Sequence, residues 1–246
     1  MTIVLVNKFW YPKGGTERYV FLLKELLEQH GHTVIPFGMA DDRNVASVDT
    51  THFVSHVDFW DADDAVPNQT SRALQMARVL WSREAAKKFA TVLDEAKPDI
   101  VHVHNIAHQL SPSILPQAAR RGIPVVATAH DYKLRCPNYR MYTRGSVCER
   151  CNQHRYWNAV RFRCMDTMGA SAAVALEMTI HHALLDVYGR YLDAVIAPSH
   201  FMATTLEQWG WRGRVEVIPN FVEHSSNVSS TARPSLGPVL FVGRLT

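Results

Sequence analysis

All four cysteines fall between positions 136 and 164, as Cys136, Cys148, Cys151 and Cys164, spaced C-x11-C-x2-C-x12-C. A C-x2-C pair can present two thiolates to one ion, and two more complete a tetrahedral site, so the spacing points to structural zinc. Loop-like residues such as Pro137, Asn138, Gly145 and Asn152 separate the ligands. Such a segment has little apolar content with which to fold itself, and a bound ion would supply the missing stability. Four free thiols, a redox pair at Cys148 and Cys151, or an iron–sulfur cluster are the alternatives. The segment also carries Arg135, Arg140, Arg144, Arg150, Arg155, Tyr156, Trp157, Arg161, Phe162 and Arg163. One reading is contact with an anionic ligand or membrane surface; the other is a solvated, charged loop. Arginine with aromatics also suits RNA, but no RNA-binding signature accompanies it, and no nucleic-acid partner is expected.

A second set of polar residues sits where apolar runs end. The run 3–6 leads into Pro12, Lys13, Gly14, Gly15 and Thr16, with a helix expected from near Thr16. Gly14 and Gly15 would let backbone approach a ligand, and Thr16 would cap the helix, whose N-terminus favours anionic or hydroxyl-rich groups. The loop lacks both G-x-G-x-x-G and G-x-x-x-x-G-K-[ST], so it is not a phosphate fingerprint, and an ordinary strand-to-helix turn is the plainer reading. The run 100–104 ends at Asn105, with His108 beyond it. His102 and His104 share one strand face; they could be half a metal site, but two ligands do not define one, and histidines satisfied within a sheet are the commoner case. The run 124–129 ends at His130, Asp131 and Tyr132. His130 could hydrogen-bond a ligand hydroxyl or relay a proton, or simply pack, with Asp131 as a cap. Ser199, after 194–197, opens a further helix as its cap.

Short apolar, β-branched runs at 3–6, 33–37, 100–104, 124–129, 194–197 and 215–218 must position these groups. Their near-continuous apolar character suits strands covered on both faces. Between them, Tyr19, Leu22, Leu23, Leu26 and Leu27 recur at helical spacing before Gly31; one long helix is expected over 71–96, a short one over 111–121, and another with Leu176, Ile180, Leu184, Val187, Tyr188 and Tyr191 along one face. Alternating strands and helices predict an α/β fold, a Rossmann-like parallel sheet flanked by helices, with the cysteine-rich stretch 133–168 as a small insertion. The polar strand ends would then meet at one sheet edge, where a cleft forms.

The 246 residues carry a formal charge of +3 and 47% apolar residues, enough for a substantial core. No apolar run reaches the ~20 residues that span a bilayer, and 1–6 reads as a strand rather than an export signal, so a cytoplasmic location with reduced or metal-bound cysteines is expected. Residues 224–238 read as a Ser-, Asn- and Thr-rich linker, and 239–246 as the first strand of a second domain whose remainder is absent; a last strand of the first sheet is the alternative.

The ordered set Pro12-Lys13-Gly14-Gly15-Thr16-Glu17, Pro98-Asp99-Ile100-Val101-His102-Val103-His104, Thr128-Ala129-His130-Asp131, Ala197-Pro198-Ser199-His200-Phe201, Val217-Ile218-Pro219-Asn220 and Phe241-Val242-Gly243-Arg244-Leu245 resembles the GT-B retaining glycosyltransferases of family 4 along the whole chain. The resemblance implies two Rossmann-like domains facing across a cleft, with residues 1–223 as the acceptor-side domain and the nucleotide-sugar domain beginning at 239. It implies a nucleotide-sugar donor, a glycan or lipid-linked acceptor, and no catalytic metal; contact with the inner membrane face is expected only on the reading of the basic, aromatic segment given above. Gly14 and Gly15 would border the donor phosphates and acceptor, and His130 the transferred sugar; Thr16, Asn105, His108, Asp131, Tyr132 and Ser199 would line the substrate side. Asn220, Gly243 and Arg244 would face the donor, Arg244 stabilising the departing diphosphate. Two departures stand out: Phe221-Val222-Glu223 follows Asn220 where the family often has a small residue and then Asp, and the family's later lysine and paired glutamates have no counterpart before the chain ends. This polypeptide alone is therefore expected not to turn over efficiently. A non-catalytic glycan- or partner-binding module, or a sugar epimerase, are the competing readings.

Overall fold

The computed structural model describes residues 1–57 and 72–222. The expected linker, the strand at 239–246, Gly243 and Arg244 lie outside the described residues. Six parallel strands form one sheet: β1 (Thr2–Val6), β2 (Thr33–Phe37), β3 (Ile100–Val103), β4 (Val125–Thr128), β7 (Ala194–Ala197) and β8 (Arg214–Val217), in the order β2-β1-β3-β4-β7-β8. Each expected strand is present, with ends shifted by a residue or so. A two-stranded antiparallel hairpin, β5 (Tyr142–Thr143) and β6 (Ser146–Val147), stands apart in the cysteine-bearing segment. The helices are α1 (Gly15–Gln29), α2 (Arg72–Leu80), α3 (Arg83–Ala96), α4 (Leu115–Ala119), α5 (Asn158–Arg161), α6 (Met168–Met178), α7 (Val187–Tyr191) and α8 (His200–Gln208).

Side chains alternate across a strand, and β1 shows why its run is unbroken in apolar character. Val4 and Val6 join a core with Phe37, Phe89, Leu93, Ile114, Leu115 and Leu206. Leu5, between them, joins a second core on the other face with Trp10, Val20 and Val34. Gly38, after β2, makes room for that second core: a Cβ there would sit 2.6 Å from the Asn7 carbonyl and against the indole of Trp10, which donates to the Phe37 carbonyl at 3.0 Å.

Three helical expectations are corrected. The helix over 71–96 is two, α2 and α3, broken at Trp81 and Ser82. Ser82 Oγ accepts from the Ala85 N–H, while its own N–H donates to Ser111 Oγ and its carbonyl accepts from Ser113 Oγ. Three buried serines thus satisfy the break internally. The helix lined by Leu176 and Tyr191 is also interrupted: α6 passes into a π-helical stretch, Thr179–Leu184, and Asp186 adopts left-handed φ of 45° before α7. The expected apolar face splits accordingly, with Val187 and Tyr188 buried but Leu176 and Leu184 exposed. Finally, α1 starts at Gly15 with Gly14 as its N-cap and no side-chain cap, so Thr16 lies inside the helix.

Candidate functional site

The strand order places a topological switch between β1 and β3, because the chain leaves β1 first for β2 on one side and later for β3 on the other. Ligands of open α/β sheets bind beyond the strand carboxyl ends at such a point. A cavity of about 220 Å³ lies there, lined by residues that follow β1, β3 and β4, among them Lys8, Asn105, His108, His130, Asp131 and Lys133. Complete small-molecule pockets run to ~300–1,000 Å³, so this volume suits one part of a cleft.

Asn7, fully buried, ties the strand ends together. Its Nδ2 donates to the Phe9 carbonyl at 2.8 Å and to Glu17 Oε1 at 3.4 Å, and its Oδ1 accepts from the Asn105 N–H at 3.2 Å. The Lys8 N–H donates to the Asn105 carbonyl at 2.9 Å, and Asn105 Nδ2 donates to Thr16 Oγ1 at 3.4 Å. The loops after β1 and β3 and the first turn of α1 thereby form one unit.

Histidines occupy the face beneath α1. His102 Nε2 is 2.8 Å from Thr128 Oγ1, and His104 Nδ1 is 2.8 Å from His130 Nε2. His102 and His104 are thus each paired through one ring nitrogen, while His104 Nε2 is buried without a hydrogen-bond partner. Tyr19, from α1, sets its ring edge-on to both His104 and His130 and also contacts the ring of Phe221 at 5.1 Å. Burial holds the three imidazoles neutral: it lowers His102 and His130 to about 4, and His104, with His102 and His130 beside it, well below its ordinary value.

Behind the cavity residues Lys133 and His108, Glu177 of α6 is 2% exposed. Its Oε2 accepts from Lys133 Nζ at 2.8 Å and lies 3.2 Å from His108 Nε2. Burial would push this carboxyl up, but the Lys133 ammonium and His108 pull it well below the usual carboxylate range. His108 adopts left-handed φ of 71°, a sparsely populated state for a non-glycine residue. Burial raises Asp131, against the pull of the Lys133 N–H and the Lys8 ammonium, and lowers Lys8.

The structure therefore gathers His130, Asp131, Asn105 and His108 around one cavity, with Thr16 joined through Asn105. Gly14 and Gly15 open α1 nearby, and a Cβ on Gly15 would meet nothing within 4 Å. Tyr132 and Ser199 do not line the cavity: Tyr132 packs edge-on to Phe201, and Ser199 caps α8 by accepting from the Met202 N–H. Asn220 is exposed beside Phe221. Sequence reasoning missed Lys8, Lys133, Glu177 and Tyr19. Glu177 carried a signal, as the only acid in the otherwise apolar α6.

In the cysteine-bearing segment, Cys136 and Cys151 are buried in a small core with Met141, Tyr156, Met178 and Trp209. The Cys136 thiol donates to Asn138 Oδ1 at 2.9 Å; burial, then the neighbouring Cys148 and Cys164, raise it against the pull of the Met141 and Asn138 backbone. Burial, then Cys136, Cys164 and Cys148, push Cys151 up to about 12. All four thiols thus lie within electrostatic reach of one another, yet as placed, no three His, Cys, Asp or Glu among the described residues form a metal-holding group. Arg144, Arg150 and Arg161 set their guanidiniums over the ring of Phe162 at 5.8, 4.4 and 5.8 Å. Arg135 is buried against Trp211. Among the described residues, no helix is long and apolar enough to cross a membrane.

A Klebsiella pneumoniae protein, described as an uncharacterized 42.6 kDa protein in a cps region, is 31% identical over 157 residues, covering 59% of this chain and 41% of the relative. The chain thus spans less than half the length of that relative. Among solved structures, UDP-bound MnaA of S. aureus aligns with a TM-score of 0.44 at 14% identity, covering 88% of this chain and 43% of that one. Phytolacca americana UGT2, complexed with UDP-2fluoro-glucose and pterostilbene, aligns with a TM-score of 0.49 at 11% identity, covering 91% and 55%. Likenesses at this level say nothing of ligand or reaction. The profile described as Glycosyltransferase Family 4 matches residues 13–226, a span that takes in α1, the β3 and β4 ends and the cysteine-bearing segment; the chain belongs to Glycosyltransferase Family 4.

Proposed function

We propose that this chain is the acceptor-side domain of a retaining glycosyltransferase that moves a sugar from a nucleotide-sugar donor to a glycan or lipid-linked acceptor. The observation that carries the reading is the cavity at the β1/β3 switch point, where His130, Asp131, Asn105 and His108 converge within the family match. His130 would hydrogen-bond the transferred sugar. The α1 N-terminus has no side-chain cap, which leaves first-turn N–H groups for a donor phosphate. Asp131, raised by burial, would receive an acceptor hydroxyl. None of these roles calls on a catalytic metal. The cavity is small for a whole nucleotide sugar, which fits a donor site completed by a second domain to which Asn220, Gly243 and Arg244 would contribute.

The four thiols would close on a structural zinc ion, a reading supported by their mutual influence. Met168, Leu176 and Leu184, exposed along α6 and the π-helical stretch, with exposed Trp157 nearby in sequence among arginines, favour contact with the inner membrane face and hence a lipid-linked acceptor.

The test is calorimetry and a transfer assay across nucleotide sugars, using this chain and a polypeptide extended by ~150 residues, about one domain. Transfer with retained anomeric configuration by the extended protein, lost in His130→Ala, is expected. If the extended protein neither binds nor transfers a sugar, the domain is a glycan- or partner-binding module instead.

A further inference from the structure

The contact between His104 and His130 leaves one nitrogen of each ring to be accounted for. His104 is 7% exposed, and its Nε2 is buried with no hydrogen-bond partner. His130 lines the cavity, and with its Nε2 engaged by His104, Nδ1 is the ring nitrogen left for a ligand. Burial keeps both rings neutral at pH 7, so one proton lies between them and each ring carries one N–H.

Two arrangements satisfy the 2.8 Å contact. If His130 Nε2–H donates to His104 Nδ1, the His104 proton must sit on Nε2, a buried N–H with no acceptor. If His104 Nδ1–H donates to His130 Nε2, the atom left over on His104 is a bare lone pair. Buried N–H groups without an acceptor are rarer in folded proteins than under-satisfied acceptors. We infer that His104 is a positioning residue: it donates from Nδ1 to His130 Nε2 and so fixes His130 as an Nδ1–H hydrogen-bond donor facing the cavity.

The consequence concerns what the cavity recognises. An Nδ1–H donor selects a ligand lone pair, on a hydroxyl, ring or phosphate oxygen, and cannot accept a proton from an acceptor hydroxyl. Proton removal would then fall to another group. That functional half rests on the sugar-transfer reading; the proton assignment does not, because it is a property of the chain alone.

The experiment is long-range proton–nitrogen correlation NMR on the full chain with ¹⁵N-labelled histidine rings, without ligand, at neutral pH. The expected spectrum shows His130 protonated on Nδ1 with a bare Nε2, and His104 likewise. His104→Asn, whose amide can donate near the Nδ1 position, keeps that pattern; His104→Leu, which removes the donor, moves the His130 proton to Nε2 or leaves the two forms exchanging. In the extended protein, His104→Leu lowers kcat/KM about tenfold, the scale of one neutral hydrogen bond, and His104→Asn restores it. An Nε2–H on His130 in the unaltered chain overturns the inference even if His104→Leu does not fold, as does an unchanged His130 tautomer in a folded His104→Leu. A correct tautomer with no sugar transfer by the extended protein would overturn the functional reading and leave the proton assignment standing.

Discussion

Lys133 Nζ lies 2.8 Å from Glu177 Oε2, joining the loop after β4 to the C-terminal turn of α6, with the carboxylate 2% exposed. Removing one partner of a buried pair strands the other charge and costs about 3–5 kcal/mol, whereas removing both charges is often close to neutral. Glu177→Leu and Lys133→Met are each expected to destabilise on that scale, and the double variant to recover most of the loss. Urea denaturation of the four proteins checks this. Additive losses would show that the pair is not coupled.

Acid should unfold this protein through its histidines first. His102 and His130 are lowered to about 4, and His104 and His182 well below the ordinary value, chiefly by burial. A group depressed in the folded state takes up its proton more readily when unfolded. Its stabilisation is complete above the unfolded value, ~6.5 for histidine, and is lost as pH falls below it. Stability should therefore fall between pH 6.5 and 4, before Glu177, also depressed, begins to contribute below ~4.3. His182 stacks on Tyr188 at 4.9 Å. His182→Phe keeps a ring there and should flatten the slope by up to one proton, ~1.4 kcal/mol per pH unit. An unchanged slope in denaturation midpoints would contradict this assignment.

Much of this architecture was legible in the residues. The apolar runs that became the strands are legible because the inner ones are buried on both faces, as Leu5 between Val4 and Val6 illustrates, while edge strand β8 shows in Val215 and Val217 alternating with exposed Arg214 and Glu216. Where reading failed, a tertiary contact decided. Ser82 could have continued a helix, and it ends one because Ser111 and Ser113 wait across the fold. Likewise His130, Asp131, Asn105 and His108 could be nominated from strand ends, but Lys8 and Lys133 look like ordinary surface lysines until the loops close around them. Their partners, Asp131 at a strand end and Glu177 on α6, are remote in sequence. Histidine tautomers have no sequence signature at all.

Gly38→Ala tests the coupling between the second core and the site. The added methyl would press on the Asn7 carbonyl and the Trp10 indole, and Asn7 is the residue that binds the β1, β3 and α1 ends together. Overpacking of this kind costs about 1–3 kcal/mol. A loss of this size in chemical denaturation, with shifted amide signals for Asn105 and Thr16, is expected. A loss without those shifts would mean that the strain is absorbed at Trp10 alone.

The cysteine-bearing segment offers little of its own to hold it together: one hairpin of two-residue strands, a single 3-10 turn at Asn152–His154, a four-residue helix and a small core around Tyr156. If a zinc ion closes the four thiols, purified protein should carry about one zinc per chain, because a structural site takes four ligands to one ion. A strong chelator should then lower the melting temperature, since metal binding energy is folding energy in such segments. Cys151→Ser should lose the metal and the stability together, while the amide signals of the central sheet, whose core is separate, remain. Metal-free protein that melts at the same temperature with and without chelator would leave the thiols as packing groups. Reaction of all four with a thiol reagent on unfolding would then identify them as free.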